Sequence, residues 1–590
     1  MKLNPLKMKD WQIAESAEKS MKPVSRLAEE LGLKKDELLP IGRQLAKIDY
    51  LKVLERLGSG KAKKTAKYID VTAITPTPLG EGKTTTAIGL IEGLARLGKR
   101  ATGAIRQPSA GPTFNIKGSA AGGGLAQCIP LVPLSIRFTG DIDCITNAHN
   151  LAMVALTSRM QHERNYDDAQ LAKHNLKRLD IDPQRVQIKW VMDFCAQALR
   201  NITIGKGGKM DGYEMESGFN ISTSSELMAI LTVVKDLKDL RRRISKMVVA
   251  YDKKGKEVTT ADLGADGAMT AWMLETLNPS LIQTIEGQPI LVHAGPFGNI
   301  ALGQSSVIAD MLAVKLADYH VTESGFGTDI GYEKFCNLKC RLSGLKPDAV
   351  IIVATIRALK MHGGGPAVKP GVPLSGEYIK ENLKLVEQGC ENLIAHIEIV
   401  KKIGVQPIVC INSFHTDTKN EIKLVRRIAE QNGALTAYSQ HWLKGGEGAK
   451  ELAETVIAAC KGKKDFKFLY EDGTPLRRQI ELIATEIYGA DGVTYTPEAL
   501  EKAKAIEASP DTKGFGACMA KTHLSLSHDP QLKGRPKNWK LPILDFMVYK
   551  GAELIVPIAG QIKLMPGTAS NPAFRRVDVD VRSGKVTGLF

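Results

Sequence analysis

One stretch decides the fold of this chain: Thr77-Pro78-Leu79-Gly80-Glu81-Gly82-Lys83-Thr84. The apolar run before it, residues 68–74, predicts a buried strand, and residues 85–95 after it predict a helix. A strand, a glycine-rich turn, Gly-Lys-Thr and a helix in this order indicate a phosphate-binding loop. Its backbone N–H groups and the positive end of the helix dipole would face the phosphates. We therefore predict a nucleoside triphosphate site.

Two side chains of the loop have expected roles. Lys83 would reach the β- and γ-phosphates, and the Thr84 hydroxyl would bind Mg²⁺. The match is incomplete, because the general pattern has glycine where this chain has Thr77. The alternative interpretation is an ordinary strand-to-helix turn with a solvated lysine, but pattern and context both favour the phosphate loop.

Composition indicates a globular protein of several domains, with 590 residues, 43% hydrophobic and 24% charged. We expect no membrane span, because no apolar run is long enough, and no signal peptide at the amino end. The nine cysteines are scattered and form no Cys-x-x-Cys pair, which argues against a zinc site or a disulfide framework. This pattern is typical of a reducing cytoplasm.

The net charge of +16 comes from 80 basic and 64 acidic residues. Two basic clusters stand out, at residues 61–64 and at Arg241-Arg242-Arg243. They lack interleaved aromatic residues and the signature of a nucleic-acid module, so we expect solvated surfaces and no nucleic-acid partner. Positive charge would equally steer small anionic substrates to the protein.

The rest of the chain alternates short apolar runs with polar, glycine-rich exits. A second strand is expected over residues 100–106, and later strands at residues 289–294, 318–322, 349–355 and 407–412. This alternation predicts an α/β fold with a largely parallel sheet, whose ligand sites gather at the carboxyl ends of the strands. By contrast, the first fifty residues look helical, with one helix over residues 24–31 that ends at Gly32.

Two further segments have predicted roles. The glycine-rich segment 117–124 cannot supply much side-chain volume, so it is expected to allow close approach of its backbone to a ligand or a neighbouring strand. Asp141 follows the apolar run that begins at Ile136, and its carboxylate is a candidate to hold Mg²⁺ through water.

Glycine and proline cluster near residues 361–375 and glycine recurs around 488–492, where domain seams are expected. We predict three domains: a large P-loop domain over residues 1–365 and two smaller α/β domains over residues 366–490 and 491–590. The last of these contains a β-rich passage at residues 548–557.

The chain resembles the formate–tetrahydrofolate ligase family from near residue 10 to its end. That family's phosphate loop reads Thr-Pro-x-Gly-Glu-Gly-Lys-Thr-Thr-Thr, as residues 77–86 do here, so Thr77 is the family's own variant. Several other stretches match closely and occur in the same order: residues 139–141, 295–297, 323–327, 333–335, 339–341, 357–364, 416–418, 442–448, 520–522 and 565–567.

The resemblance implies ATP-dependent joining of formate to N10 of tetrahydrofolate through formyl phosphate, giving ADP and phosphate. It implies that Arg106 holds formate and formyl phosphate, and that Phe414 and Trp442 sandwich the pterin. Lys83, Arg106 and Asp141 are then the expected catalytic residues, and the 366–490 domain the expected folate domain. The resemblance also implies ATP with Mg²⁺, a monovalent cation, tetrahydrofolate with or without a polyglutamate tail, and a homo-oligomer.

The chain also departs from the family pattern. Gln107 replaces a glutamate beside the formate anchor, Arg137 and Leu302 each replace a histidine, and His415 replaces a proline; Ser119 replaces a glycine. Gln107 and Arg137 would make the acyl site more positive by about two charges if the histidine that Arg137 replaces is neutral. Three interpretations stay open: the same reaction with compensating neighbours, a ligase for another small acid or a modified pterin, and a P-loop ATPase or binding subunit without ligase activity.

Overall fold

The computed structural model describes residues 3–58, 66–115, 120–368 and 373–589. Within these ranges the chain has the predicted α/β fold, built around a 12-stranded sheet. Ten of its strands form one continuous order, from edge to edge: Leu38–Ile41, Leu45–Ile48, Ser280–Thr284, Pro289–Val292, Ala101–Ile105, Tyr319–Glu323, Lys67–Ala73, Ala349–Ala354, Pro407–Asn412 and Leu435–Ser439. Two short strands, Gly122–Gly123 and Ala126–Ile129, join it through Ser280–Thr284.

The strands from Pro289–Val292 to Leu435–Ser439 in that order are all parallel. The sequence-based prediction of a largely parallel sheet is therefore confirmed. The phosphate-loop strand, Lys67–Ala73, lies inside the sheet and is buried on both faces from Tyr68 onward, although it includes the polar residues Asp70 and Thr72. Its carboxyl end, and those of its parallel neighbours, meet at one edge of the sheet.

The expectation for the first fifty residues was partly wrong. The helix Val24–Leu31 is present and ends at Gly32 in a left-handed conformation. However, Leu38–Ile41 and Leu45–Ile48 form an antiparallel hairpin on the edge of the sheet. Its turn contains Gly42 at φ +71°, a value that favours glycine, and this short-range turn interrupts the helical periodicity.

Helices cover both faces of the sheet. Those of seven or more residues are Asp10–Glu18, Val24–Leu31, Tyr50–Leu57, Lys83–Arg96, Asp141–Asn165, Glu226–Val233, Leu237–Ser245, Asp266–Met273, Val307–Leu316, Ile356–His362, Leu383–Lys402, Lys419–Gln431, Lys450–Ala459, Leu476–Leu482 and Pro497–Ala508. Among the described residues, no helix is long and apolar enough to span a membrane.

Smaller sheets lie outside the central one. Their strands are Ile181–Val186, Trp190–Met192, Ile202–Ile204, Met215–Ser217, Phe219–Ile221, Val248–Asp252, Glu257–Thr259, Val493–Tyr495, Gly516–Ala517, Leu541–Ile543, Asp545–Tyr549, Leu554–Ile558, Asp578–Asp580 and Lys585–Thr587. The β-rich passage expected near residues 548–557 is the antiparallel pair Asp545–Tyr549 and Leu554–Ile558.

The central sheet continues across residue 365, the first predicted domain boundary. Pro407–Asn412 pairs directly with Ala349–Ala354, and Leu435–Ser439 follows it. The two strands that carry the predicted folate-stacking loops are therefore extensions of the phosphate-loop sheet. Part of the predicted seam, residues 369–372, lies outside the described residues. The division into three domains stays a prediction.

The arginine cluster at residues 241–243 lies on the helix Leu237–Ser245 and is largely ion-paired. Arg241 contacts Asp266, Arg242 contacts Asp239 and Glu553, and Arg243 is buried against Asp239. These carboxylates satisfy much of the positive charge locally, so the cluster is not simply a solvated helix face. The other basic cluster, residues 61–64, lies outside the described residues.

Candidate phosphate and acyl site

The phosphate loop has an internal brace that explains its unusual threonine. The backbone N–H of Thr77 donates to Glu81 Oε1 at 2.7 Å, and the Thr77 hydroxyl donates to the same oxygen at 3.1 Å. The Thr77 hydroxyl also accepts from the N–H of Leu79 at 3.3 Å. A glycine at position 77 could not make the two hydroxyl contacts. The threonine therefore fixes the curvature of the loop through Glu81.

The helix Lys83–Arg96 begins at the lysine of the motif, as a phosphate loop requires. Gly82 precedes it at φ +79°, and a Cβ at this position would lie 2.6 Å from Asn412 Nδ2. That amide donates to the Glu81 carbonyl at 3.0 Å and so ties the loop to the strand Pro407–Asn412. Both backbone conformation and packing demand glycine at position 82.

Lys83 and Glu81 form an ion pair that leaves the ammonium available. Their side-chain atoms, Nζ and Oε2, are 3.7 Å apart, which is too long for a hydrogen bond, and the lysine side chain is 16% exposed. Burial raises the pKa of Glu81, and the charge of Lys83 opposes that rise. An incoming phosphate can therefore contact Lys83 without first breaking a hydrogen bond to Glu81.

Buried polar groups hold the entry of the loop at Thr75. Its carbonyl accepts from His362 Nε2 at 2.8 Å, and its hydroxyl contacts His396 Nε2 at 3.0 Å. Asn392 bonds both the backbone N–H and the hydroxyl of Thr75. Burial lowers the pKa of each histidine to about 4, so both are neutral at pH 7. These residues, distant in sequence, fix the position of Thr75 through four hydrogen bonds.

Glu323 connects the phosphate loop to Arg106. The Thr84 hydroxyl donates to Glu323 Oε2 at 2.6 Å, and Glu323 Oε1 lies 3.7 Å from Arg106 Nε. Arg106 follows the strand Ala101–Ile105, and Glu323 ends the adjacent parallel strand. The structure therefore brings together Lys83, Thr84 and Arg106, three of the residues predicted from the sequence, at one edge of the sheet.

Asp141 is in a different place. It begins the helix Asp141–Asn165, where it is buried and forms a salt bridge with Lys47, while Thr139 bonds both it and Ser280. The strand that contains Ser280 is four positions from the phosphate-loop strand, about 19 Å at a spacing of about 4.8 Å. The structure does not bring Asp141 to Thr84, and the acidic residue that contacts Thr84 is Glu323.

The predicted stacking residues, Phe414 and Trp442, follow two adjacent parallel strands, Pro407–Asn412 and Leu435–Ser439. Both are partly exposed. The guanidinium of Arg357 lies over the ring of Phe414, 4.2 Å from its centroid, and covers one face. Trp442 lies in the short helix His441–Lys444. The two rings therefore stand on neighbouring loops, on the opposite side of the phosphate loop from Arg106.

The glycine-rich segment packs against Trp442. The N–H of Leu125 donates to the Trp442 carbonyl at 2.8 Å, and a Cβ on Gly124 would lie 2.2 Å from that oxygen. The close backbone approach expected of this segment is present at Gly124, which has φ +58°. Asp10 supports it by accepting from the Gly124 N–H at 2.9 Å. Residues 116–119 of this region, including Ser119, lie outside the described residues.

The other departures from the family pattern have different surroundings. Arg137 is 80% exposed and contacts Asp143, so it adds no buried charge beside Arg106, contrary to the expectation from sequence. Leu302 is buried in the apolar core, and His415 is exposed. Gln107 is buried next to Arg106 in the sequence, and its Oε1 has no hydrogen-bond partner among the described residues.

Sequence reasoning assigned no role to Glu323, His396 or Asn392. Glu323 opens a stretch that matched the family, and its position at the end of an apolar strand beside the phosphate-loop strand was a usable signal. His396 and Asn392 lie inside a long helix, Leu383–Lys402, and nothing in their local sequence indicates contact with Thr75.

Fold and site together define a P-loop α/β protein in which Lys83, Thr84 and Arg106 lie at one edge of the central sheet. The family model described as formate–tetrahydrofolate ligase matches residues 8–590. Curated relatives with that name include one from Dehalococcoides mccartyi, 63% identical over 588 residues that cover 100% of this chain and 98% of the relative. Others come from Desulforapulum autotrophicum, at 63% identity, and Lawsonia intracellularis, at 61%, with 100% of both chains covered in each case. The chain belongs to the formate–tetrahydrofolate ligase family.

Proposed function

We propose that this protein is an ATP-dependent ligase that joins formate to tetrahydrofolate and releases 10-formyltetrahydrofolate, ADP and phosphate. The observation that carries the proposal is the convergence of Thr84 and Arg106 on Glu323, next to Lys83. It supports a site in which a nucleotide phosphate and a small carboxylate lie side by side. Family membership supports formate as that carboxylate, and the relatives' names do not favour the alternatives.

In the proposed first step, a formate oxygen attacks the γ-phosphorus of ATP, and the bond to the ADP oxygen breaks. Lys83 and the N–H groups at the start of its helix stabilise the charge that spreads over the transferring phosphoryl group. Arg106 holds the carboxylate through its guanidinium fork and keeps the attacking oxygen in line. The product is formyl phosphate, which stays bound to Lys83 and Arg106.

In the proposed second step, N10 of tetrahydrofolate attacks the formyl carbon, the carbon–oxygen bond to phosphate breaks, and the N10 proton passes to the departing phosphate. Phe414 and Trp442 would stack on the pterin and so limit the positions that N10 can take. Along the sheet edge, the phosphate loop lies between Arg106 and the two aromatic residues. This order supports transfer from a central phosphate site to an acceptor held beside it.

Mg²⁺ fits the oxygen groups at the phosphate loop. The Thr84 hydroxyl and the Glu323 carboxylate are hard oxygen donors at 2.6 Å from each other, and Mg²⁺ is usually bound by few protein oxygens together with the phosphates. The ion would neutralise charge on the triphosphate. On family grounds we also propose a monovalent cation, acceptance of polyglutamylated tetrahydrofolate, a homo-oligomer and a cytoplasmic location. We also retain the proposal that Asp141 takes part in catalysis, but at a position separate from Thr84.

The proposal is tested with purified full-length protein, ATP, Mg²⁺, tetrahydrofolate and a panel of small carboxylic acids. ADP release and the formylated product are followed together. We expect ADP and product in equal amounts, and only when formate and tetrahydrofolate are both present. ADP release without an acceptor would indicate an ATPase. Turnover with a different acid would show that formate is not the specific substrate. Either result would contradict the proposal.

Removal of the Trp442 ring is expected to act mainly on the pterin. Trp442→Ala should raise KM for tetrahydrofolate by about tenfold, which corresponds to about 1.4 kcal/mol of lost stacking, with smaller effects on ATP and formate. Trp442→Phe should keep most of the affinity. Trp272 is 48% exposed and distant in sequence, so Trp272→Ala serves as the control. An unchanged KM in Trp442→Ala would place the pterin elsewhere.

A further inference from the structure

Glu323 occupies the place where two functional loops meet. It is the last residue of the strand Tyr319–Glu323, which pairs in parallel with the phosphate-loop strand on one side and with Ala101–Ile105 on the other. Its register partner in the phosphate-loop strand is Val71. The carboxylate therefore emerges between the loop that contains Lys83 and Thr84 and the loop that begins at Arg106.

Each oxygen of this carboxylate faces a different functional side chain. Oε2 accepts the Thr84 hydroxyl at 2.6 Å, and Oε1 is 3.7 Å from Arg106 Nε. The Glu323 side chain is only 3% exposed. Arg106 Nε is also buried, and it has no hydrogen-bond partner among the described residues. A small movement would close the Glu323–Arg106 contact into a hydrogen bond.

We infer that Glu323 is the acidic residue that orders Mg²⁺ with Thr84, and that the same carboxylate positions Arg106 for the substrate acid. In other P-loop proteins the metal is held by the loop's Ser or Thr and by an acidic residue from elsewhere in the fold. Glu323 meets this description by geometry. The other candidate from the sequence, Asp141, is already paired with Lys47.

The inference rests on the proposed function and adds a physical link between its two substrates. Because one carboxylate contacts both Thr84 and Arg106, the nucleotide side and the acid side cannot be altered independently at this residue. Loss of the charge should weaken metal binding and also release Arg106. Gly325 leaves room for Arg106, since a Cβ there would lie 3.3 Å from one guanidinium nitrogen. Glu323 is therefore a positioning residue for Arg106.

The test measures metal binding without turnover. Mn²⁺ replaces Mg²⁺ as a paramagnetic probe, ADP replaces ATP, and bound Mn²⁺ is followed by electron paramagnetic resonance in the full-length protein. Glu323→Gln is expected to weaken Mn²⁺ binding in the presence of ADP by about 10–100-fold, as for other residues that orient a metal site. ADP affinity without metal should change little. In turnover assays, KM should rise more for formate than for tetrahydrofolate.

Glu333→Gln is the matched control. Glu333 is another fully buried glutamate of the same region, but its Oε1 bonds Asn337 and not a residue of the phosphate site. Its Mn²⁺ affinity should equal that of the wild type. If Glu323→Gln is too unstable to purify, Glu323→Asp keeps the charge but withdraws it by one methylene, and it should also weaken Mn²⁺ binding. Wild-type Mn²⁺ affinity in either Glu323 variant would overturn the inference.

The two hypotheses can fail separately. A wild-type protein that synthesises 10-formyltetrahydrofolate, with Mn²⁺ binding that does not depend on Glu323, contradicts the inference alone. A wild-type protein whose Mn²⁺ binding depends on Glu323 but that forms no product contradicts the proposed function alone. Absence of any ADP-dependent Mn²⁺ binding by the wild type also overturns the inference.

Discussion

Replacement of Lys83 by alanine is expected to lower kcat for formyltetrahydrofolate synthesis by about 10³-fold or more. Lys83 begins the phosphate-loop helix, and its ammonium lies 3.7 Å from Glu81 without a hydrogen bond between them. The ion pair with Glu81 therefore holds the ammonium near the loop without a hydrogen bond between the two side chains, so a phosphate can accept hydrogen bonds from it. The measurement is the rate of 10-formyltetrahydrofolate formation at saturating substrates, with the melting temperature as a check on the fold.

Lys99→Ala is the control for this prediction. Lys99 is an exposed lysine just beyond the other end of the same helix. Its removal deletes an equal charge without touching the phosphate loop, so activity should stay at the wild-type level. A folded Lys83→Ala protein with full activity would refute the role given to Lys83 and would favour the alternative of an ordinary strand-to-helix turn.

The second large effect is expected at Arg106. Arg106→Ala should lower kcat/KM for formate by about 10³-fold, because a partly buried guanidinium that stabilises developing charge contributes on this scale. ATP binding without formate should be nearly unchanged. Arg106→Lys should recover only part of the loss, since a single ammonium cannot reproduce a bidentate contact with a carboxylate. Initial rates over a range of formate concentrations separate these cases.

Arg137 provides the matched control for Arg106. It is 80% exposed and contacts Asp143 at the surface, although the sequence suggested that it would alter the acyl site. Arg137→Ala should therefore leave KM for formate unchanged. If Arg137→Ala impairs formate use while Arg106→Ala does not, the assignment of the acyl site is incorrect.

Much of the fold was predictable because its signals are local. The helix Val24–Leu31 shows an apolar face every three to four residues and ends at a glycine. The parallel strands Ala349–Ala354 and Pro407–Asn412 are nearly continuous apolar runs, because both of their faces are buried. The hairpin Leu38–Ile48 was not predicted, because its position in the sheet depends on pairing with Ser280–Thr284, a strand that is distant in sequence.

The candidate site divides in the same way. Thr77 to Thr84 could be interpreted directly, because a phosphate loop is a continuous motif whose backbone makes the site. The acidic partner of Thr84 could not be identified from the sequence in this way. Asp141 and Glu323 both follow apolar runs, and only strand order places Glu323 beside the loop and Asp141 beside Lys47.

By itself the sequence determined the class of the fold, the position of the phosphate loop and, through its ordered matches, the enzyme family. Tertiary structure alone decided that Arg106 and Thr84 both contact Glu323 and that Arg137 is exposed to solvent. It also decided that His362 and His396 form hydrogen bonds with Thr75. The physical reason is range. Helices, turns and phosphate loops are set by neighbours along the chain, whereas the partner of a side chain at the end of a strand depends on the order in which the strands assemble.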